Sequence, residues 1–369
     1  MTNTRFVEEI IKAFGTGDPL EVTRLLEREI RKERARGHIV VAKRLTNLLR
    51  AIPPKTLGAQ SVRSTQINAS EDGGTLYEKV NSHIPIEETV LDIKARNTIS
   101  NFLREWEAYD ELIKNNIYPT NKLIFYGPPG TGKTKLAYGI AHKLDLPLVI
   151  VRLDELISSY LGRTGKNIRE IFDIAQKERV IIFLDEIDTI AKHRDDSREL
   201  GELKRVVTVL LQNIDSFPQW SILIGATNHH ELLDNALWRR FGIKMHIELP
   251  SLENRAILFE LFFSNFKGRK TIDYRLLAEA TEGVSGSHIH DIVEFTKRSS
   301  VLDGKAGIDT LDCLRSILSL SHSLFHGQKL DKKNLYQICQ KLSDGGLSLK
   351  QLEQVSGIPY TTLRDNIKI

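Results

Sequence analysis

The sequence predicts an α/β protein in which a parallel sheet flanked by helices is followed by a helical lid. Three observations lead there. Short β-branched runs at Lys122–Tyr126, 147–153, 180–185, 220–227 and 244–249 alternate with helical stretches, the order that builds a parallel sheet. Beyond Pro250 the strand signals vanish, and amphipathic helices follow at about 252–265, 274–282, 287–302 and 310–323. Between the first run and the next helix lies a glycine-rich loop, where open α/β sheets bind their ligands.

Around this core the chain divides into further parts. Residues 1–54 read as a small helical bundle: Asp18 caps its second helix, Pro19 takes the first position and Glu21 closes a capping box. Ile52-Pro53-Pro54 forbids continuation. Residues 55–85 are rich in Gly, Ser, Thr, Asn and Asp and read as a flexible linker. The large α/β domain is expected over 86–250, the lid over 251–326, and a C-terminal helical segment over 327–369.

Composition narrows the class. With 41% hydrophobic residues in 369, a sizeable core is possible, and no apolar run nears the roughly 20 residues that span a bilayer. No membrane partner is therefore expected. Cys313 and Cys339 lie far apart without Cys or His at metal-ligand spacing, which fits a reducing, cytoplasmic setting. A formal charge of +4 with interspersed signs is too weak to argue for nucleic acid.

The chemistry is carried by two motifs. Gly127-Pro128-Pro129-Gly130-Thr131-Gly132-Lys133-Thr134 fits the phosphate-binding P-loop, after a strand and before a helix as its mechanism requires. Backbone N–H groups and the positive helix end would wrap the phosphates. Lys133 would meet the β- and γ-phosphates, and Thr134 would ligate Mg²⁺. Further on, Val180-Ile-Ile-Phe-Leu-Asp185-Glu186 is a buried strand delivering two carboxylates at its C-terminal edge. Alone, such a pair reads as a solvated turn. Beside this P-loop, Asp185 would hold Mg²⁺ through water, and Glu186 would act as general base on the attacking water.

With these residues, the stretch from about Thr89 to Ser323 resembles the AAA family of ATPases, within the AAA+ P-loop superfamily. The resemblance implies ATP and Mg²⁺ as ligands and a homo-oligomeric, hexameric ring. Gly225-Ala-Thr-Asn228 is similar to the sensor-1 element, so Asn228 is expected at the γ-phosphate or the attacking water. Leu233-Asp-Asn-Ala-Leu-Trp-Arg239-Arg240-Phe241 resembles the second region of homology. Arg239 and Arg240 are thereby expected to reach a neighbouring subunit's ATP, where guanidinium groups stabilise the phosphoryl oxygens. Without that match, two arginines at a helix end are simply favoured by its dipole. Tyr160-Leu161-Gly162 is similar to the pore loop that grips substrate in threading rings; the alternative is that Tyr160 packs against its own helix. The lid motif departs from the family's Ser-Gly-Ala-Asp, reading Ser285-Gly286-Ser287-His288. Ser287 is expected near the nucleotide and His288 in solvent.

Two substrate classes follow. Tyr160 and the paired arginines point to remodelling, unfolding or threading of a protein substrate, as in the branch with katanin, spastin and proteasomal ATPases. The segment 347–367, with Gly357 in a turn and Leu363 buried, resembles a helix-turn-helix that could place Thr361, Thr362 and Arg364 on DNA. The same spacing also suits a hairpin docked on the lid or a partner. More narrowly, the short helical N-terminus resembles that of bacterial AAA proteins encoded beside a subtilisin-like serine protease in phage-defence and plasmid-incompatibility loci. That likeness implies a separate protease partner and an antiviral role.

Overall fold

A computed structural model describes residues 63–69, 75–154, 164–189, 200–266, 268, 271–324, 336, 339–340 and 342–367. The chain divides after Gln60, and all described residues lie in the second unit. The expected bundle at 1–54 is outside them.

In chain order the elements are β1 (Arg63–Ala69), β2 (Thr75–Asn81), α1 (Ile93–Glu107), α2 (Tyr109–Lys114), β3 (Lys122–Tyr126) and α3 (Lys133–Leu144). Next come β4 (Leu148–Arg152), α4 (Thr164–Lys177), β5 (Ile181–Asp185), α5 (Leu200–Asp215), β6 (Ile222–Thr227), α6 (Asn235–Arg240) and β7 (Ile243–His246). The lid holds α7 (Leu252–Phe263), α8 (Tyr274–Ala280), α9 (Gly286–Leu302) and α10 (Thr310–Leu324), and the C-terminal hairpin α11 (Leu349–Ser356) and α12 (Tyr360–Asn366).

The sheet has seven strands in the order β1-β2-β4-β5-β6-β3-β7. From β4 to β7 all pairings are parallel. β3, β4, β5 and β6 are nearly continuous apolar runs because helices cover both faces, whereas β7 at the sheet edge buries Met245. Alternation along each strand divides the core. Ile124, Val149, Val151, Ile182, Leu184 and Leu223 face α4, α5 and α6, whereas Leu123, Phe125, Leu148, Ile150, Phe183 and Ile224 face α1 and α3.

One expectation needs correction. The stretch read as a linker ends in β1 and β2, which pair antiparallel with each other, and β2 pairs antiparallel with β4. A hairpin at the end of a sheet needs little apolar content; Val80 is the buried anchor at 1% exposure, in register with Leu148.

Strand order is what assembles the site. Placing β6 between β5 and β3 brings three C-terminal strand ends together: Leu184 lies opposite Gly225, and Tyr126 opposite Thr227. The lid forms a third core around Phe259, Phe263, Leu277, Ile292 and Leu314. That core also takes in Leu349, Leu352, Val355 and Leu363 of the C-terminal hairpin. Among the described residues, no helix is long and apolar enough to cross a membrane.

Candidate active site

The loop after β3 turns where only glycine fits. Gly127 has φ +138°, and a Cβ there would lie 2.2 Å from the Ile247 carbonyl oxygen; Gly130 has φ +73° and the same clearance from Ser287 Oγ. Thr131 Oγ donates to Pro128 O at 2.9 Å, closing the loop on itself. Lys133 opens α3, is 7% exposed, and donates from Nζ to the carbonyls of Gly127 and Pro128, each at 2.8 Å. Burial pulls its ammonium down to about 8, against the pull of Asp185 and Asp188. Such a cation is underpaid by its two carbonyls and suited to a phosphate.

Facing it, β5 ends in Asp185, whose Oδ2 accepts from Thr134 Oγ1 at 3.3 Å and whose Oδ1 accepts from the Glu186 N–H at 3.0 Å. Burial pushes the Asp185 carboxyl up; those two hydrogen bonds, then Lys133 and Arg152, resist it. Glu186 sits exposed on the rim with φ +52°, a left-handed conformation costing about 1–3 kcal/mol in a residue with a side chain. Strain of this kind gathers where a side chain must be aimed.

Behind the carboxylates, Thr227 Oγ1 donates to Asp188 Oδ1 at 2.8 Å, and the His229 N–H donates to Thr227 Oγ1 at 3.0 Å. This buried pair pins the end of β6, from which Asn228 projects. Asn228 Oδ1 is buried without a hydrogen-bond partner and belongs to the wall of a cavity of about 650 Å³. The P-loop, Asp185 and Glu186 line the same cavity. An orphaned buried carbonyl oxygen is costly by about 1–3 kcal/mol, so it marks a place built for a ligand.

The lid closes one side. Ser285 caps α9, its Oγ lying 3.0 Å from Ser287 Oγ and 3.2 Å from His288 Nδ1. The Ser287 N–H donates to Gly130 O at 3.1 Å, so α9 docks directly on the P-loop. His288 is therefore half-buried and bonded back to its own cap, rather than solvated as expected.

The two arginines of α6 differ. Arg239 is exposed, and among the described residues no partner engages it; Arg240 is held by Asp215 of α5. Sequence reasoning missed Asp215, which carries no local signal toward a residue 25 positions away. It also missed the segment before α1, where Thr89 lines the cavity; the cap Asp92, which accepts from Ala95 N at 2.6 Å, is a signal that a helix starts there. Tyr160, Leu161 and Gly162 lie outside the described residues.

Fold and site together define a P-loop nucleotide-binding protein whose cavity opens at the C-terminal strand ends. Residues 123–249 match the family model described as ATPase family associated with various cellular activities (AAA). Over 317 residues the chain is 30% identical to an uncharacterised AAA family ATPase, y4kL, of Sinorhizobium fredii, covering 86% of this chain and 95% of that one. It is 26% identical over 339 residues to the proteasome-activating nucleotidase of Sulfurisphaera tokodaii, covering 89% of this chain and 82% of that one. With the proteasome-activating nucleotidase of Archaeoglobus fulgidus it shares 35% identity over 208 residues, 54% of this chain and 52% of the relative. The chain belongs to the AAA family of ATPases.

Proposed function

We propose that this AAA ATPase is a Mg-ATP-driven ring, hexameric by family resemblance, that remodels, unfolds or threads a protein substrate. The observation that carries the nucleotide reading is the convergence of Lys133, Thr134, Asp185 and the orphaned Asn228 Oδ1 on one cavity. Likeness to proteasome-activating nucleotidases supports a protein as the substrate.

The residues present suit Mg²⁺: the Thr134 hydroxyl and the Asp185 carboxylate are hard oxygen donors already turned to each other at 3.3 Å. Thr134 would hold the ion directly and Asp185 through water, and the ion would neutralise phosphate charge. Lys133 leaves its two loop carbonyls for the phosphates. Glu186 takes the proton of the attacking water from the rim, and Asn228 orients that water or the terminal phosphate. Arg239 is the guanidinium placed to serve a neighbouring subunit's site.

Coupling to work is assigned to Tyr160-Leu161-Gly162. Replacing Tyr160 with Ala should preserve ATP turnover and abolish ATP-driven unfolding of a tagged substrate, while Tyr160→Phe keeps both. Parallel loss of ATPase activity and thermal stability would refute a pore role. The narrower expectation of a subtilisin-like protease partner in phage defence rests on the N-terminal resemblance alone; co-purification of such a protease tests it.

A further inference from the structure

We propose that Asp188 is a positioning residue for hydrolysis: through the Thr227 hydroxyl it fixes the spacing between Glu186 and Asn228, the two groups that address the attacking water. This deepens the roles given to Glu186 and Asn228 above and rests on them. Both residues line the cavity, Glu186 just after β5 and Asn228 just after β6. The two strands are neighbours, but their pairing runs only as far as Leu184 opposite Gly225. Past that point the ladder no longer dictates how the two chain ends stand to one another. Some other contact must.

A closed bridge supplies it. The Ile187 N–H donates to Ala226 O at 3.0 Å and the Thr189 N–H to Glu186 O at 3.0 Å, so the chain after Asp185 turns across the end of β6. Asp188, next in that turn, is buried, and its Oδ1 accepts from the buried Thr227 Oγ1 at 2.8 Å. The same hydroxyl oxygen accepts the His229 N–H at 3.0 Å. With a lone pair committed to His229, its single proton is left for Asp188. One hydroxyl thus holds the residues on both sides of Asn228, and that hydroxyl is held by the residue two beyond Glu186. A carboxylate acceptor makes this bond charge-assisted, stronger than a neutral one. Plain packing does not call for it, because a buried carboxylate is costly and an apolar side chain would fill the space. The apolar half of the bridge is already present. A Cβ on Gly225 would lie 2.4 Å from Ile187 Cδ1 and 3.1 Å from Phe241 Cζ, so Ile187 presses on β6 and on the residue that follows Arg240.

The test follows kcat, equilibrium ATP affinity and Tm in the full chain with Mg²⁺, for Thr227→Val, Thr227→Ser and Asp188→Asn, each alone and combined with Asn228→Ala. Thr227→Val keeps the shape and loses the hydroxyl; it should lower kcat roughly 10–100-fold and leave ATP affinity within about twofold of the parent. Thr227→Ser should restore kcat. Asp188→Asn still offers a carbonyl oxygen and should fall between the two. In the Asn228→Ala background Thr227→Val should lower kcat no further while still lowering Tm, because the bridge acts on the water through Asn228. If Thr227→Val does not fold, Asp188→Asn with and without Asn228→Ala makes the same comparison. Additive losses of kcat overturn the proposal. So does a fall of kcat and ATP affinity in step with Tm that Thr227→Ser shares, the mark of a structural pair. The Asp188 charge also bears on the Lys133 ammonium. Weakened ATP binding in Asp188→Asn beside a normal kcat in Thr227→Val would therefore assign Asp188 to Lys133 instead. If Asn228→Ala alone turns over as the parent does, the role of Asn228 itself fails and this inference falls with it.

Discussion

Asp215 and Arg240 are joined by two parallel hydrogen bonds, Nε to Oδ1 at 2.7 Å and Nη2 to Oδ2 at 2.8 Å. The remaining Nη1 donates to the Ala236 carbonyl at 2.8 Å, so this guanidinium is spent within its own chain. Its hydrogen bond holds the Asp215 carboxyl below the usual carboxylate range. Arg239, the preceding residue, points to solvent. The pair is largely exposed and contributes little stability, on the order of 0–1 kcal/mol, but it orients α6.

The expected outcome is a division of labour. Arg239→Ala should lower turnover at least about 100-fold without changing nucleotide affinity or Tm, because its proposed target is the neighbour's phosphoryl group. Arg240→Ala and Asp215→Asn should both give a smaller, matching loss. Mixing Arg239→Ala with Lys133→Ala subunits should recover ATPase activity, since one kind supplies the intact P-loop and the other the intact arginine. Equal damage from Arg239→Ala and Arg240→Ala with a silent Asp215→Asn would mean that Arg240 leaves Asp215 to reach across.

Glu186→Gln should bind ATP as the parent does and turn over about 10²–10⁴-fold more slowly. The reason is local: Glu186 is exposed on the rim and its backbone, not its side chain, supports Asp185. Single-turnover and equilibrium binding measurements separate the two effects. A variant that loses binding in step with turnover would move Glu186 from base to scaffold.

Asp312 of the lid gives a pH-dependent expectation. Burial alone would raise its carboxyl, but the Lys305 hydrogen bond, the Asp309 N–H, and the charges of Lys305 and Arg315 overrule it and set it below the ordinary value. Lys305 Nζ lies 2.6 Å from Oδ1. A depressed folded-state pKa means that the stabilisation is fully present above the unfolded-state value, near pH 4, and lost as pH falls through the depressed one. Asp312→Asn should therefore lower stability by about 1–2 kcal/mol at neutral pH and by progressively less in acid. Thermal melts from pH 7 to 3 check this; a constant difference would refute the ion pairing.

How much was legible in the sequence follows the range of each interaction. The P-loop and Asp185 were readable because their geometry is local: glycines set the turn, a buried strand sets the carboxylate, and both motifs carry their own context. The inequality of Arg239 and Arg240 was hidden because Asp215 ends a different helix. The β1–β2 hairpin was hidden by polarity, since its order comes from the edge of β4 rather than from its own apolar content. His288 was misplaced although the contact is local: the Ser285 cap lies three residues earlier and 3.2 Å from its Nδ1, a pairing that the spacing allows but does not single out.

The C-terminal hairpin yields the last expectation. As a detachable DNA reader, 347–367 could be removed without disturbing the ATPase. The packing argues otherwise: Leu352 and Leu363 are fully buried, Leu349, Val355 and Ile367 nearly so, and all share one core with Ile317 and Leu314 of the lid. The Ser348 capping box and the left-handed Gly357 at φ +69° fold the two helices back onto that core. Leu363→Ala should thus destabilise the protein by about 2–5 kcal/mol. Truncation after Gly346 should strip the lid core and lower ATPase activity, because α9 of the same lid docks on the P-loop at Gly130. Thr361→Ala and Arg364→Ala, at exposed positions, should leave the unfolding free energy within about 0.5 kcal/mol of the parent. Duplex binding at low salt is the discriminating measurement. If the full chain binds duplex and Arg364→Ala weakens it while truncation spares both Tm and ATP turnover, the hairpin is a DNA module and the shared core contributes nothing to the lid.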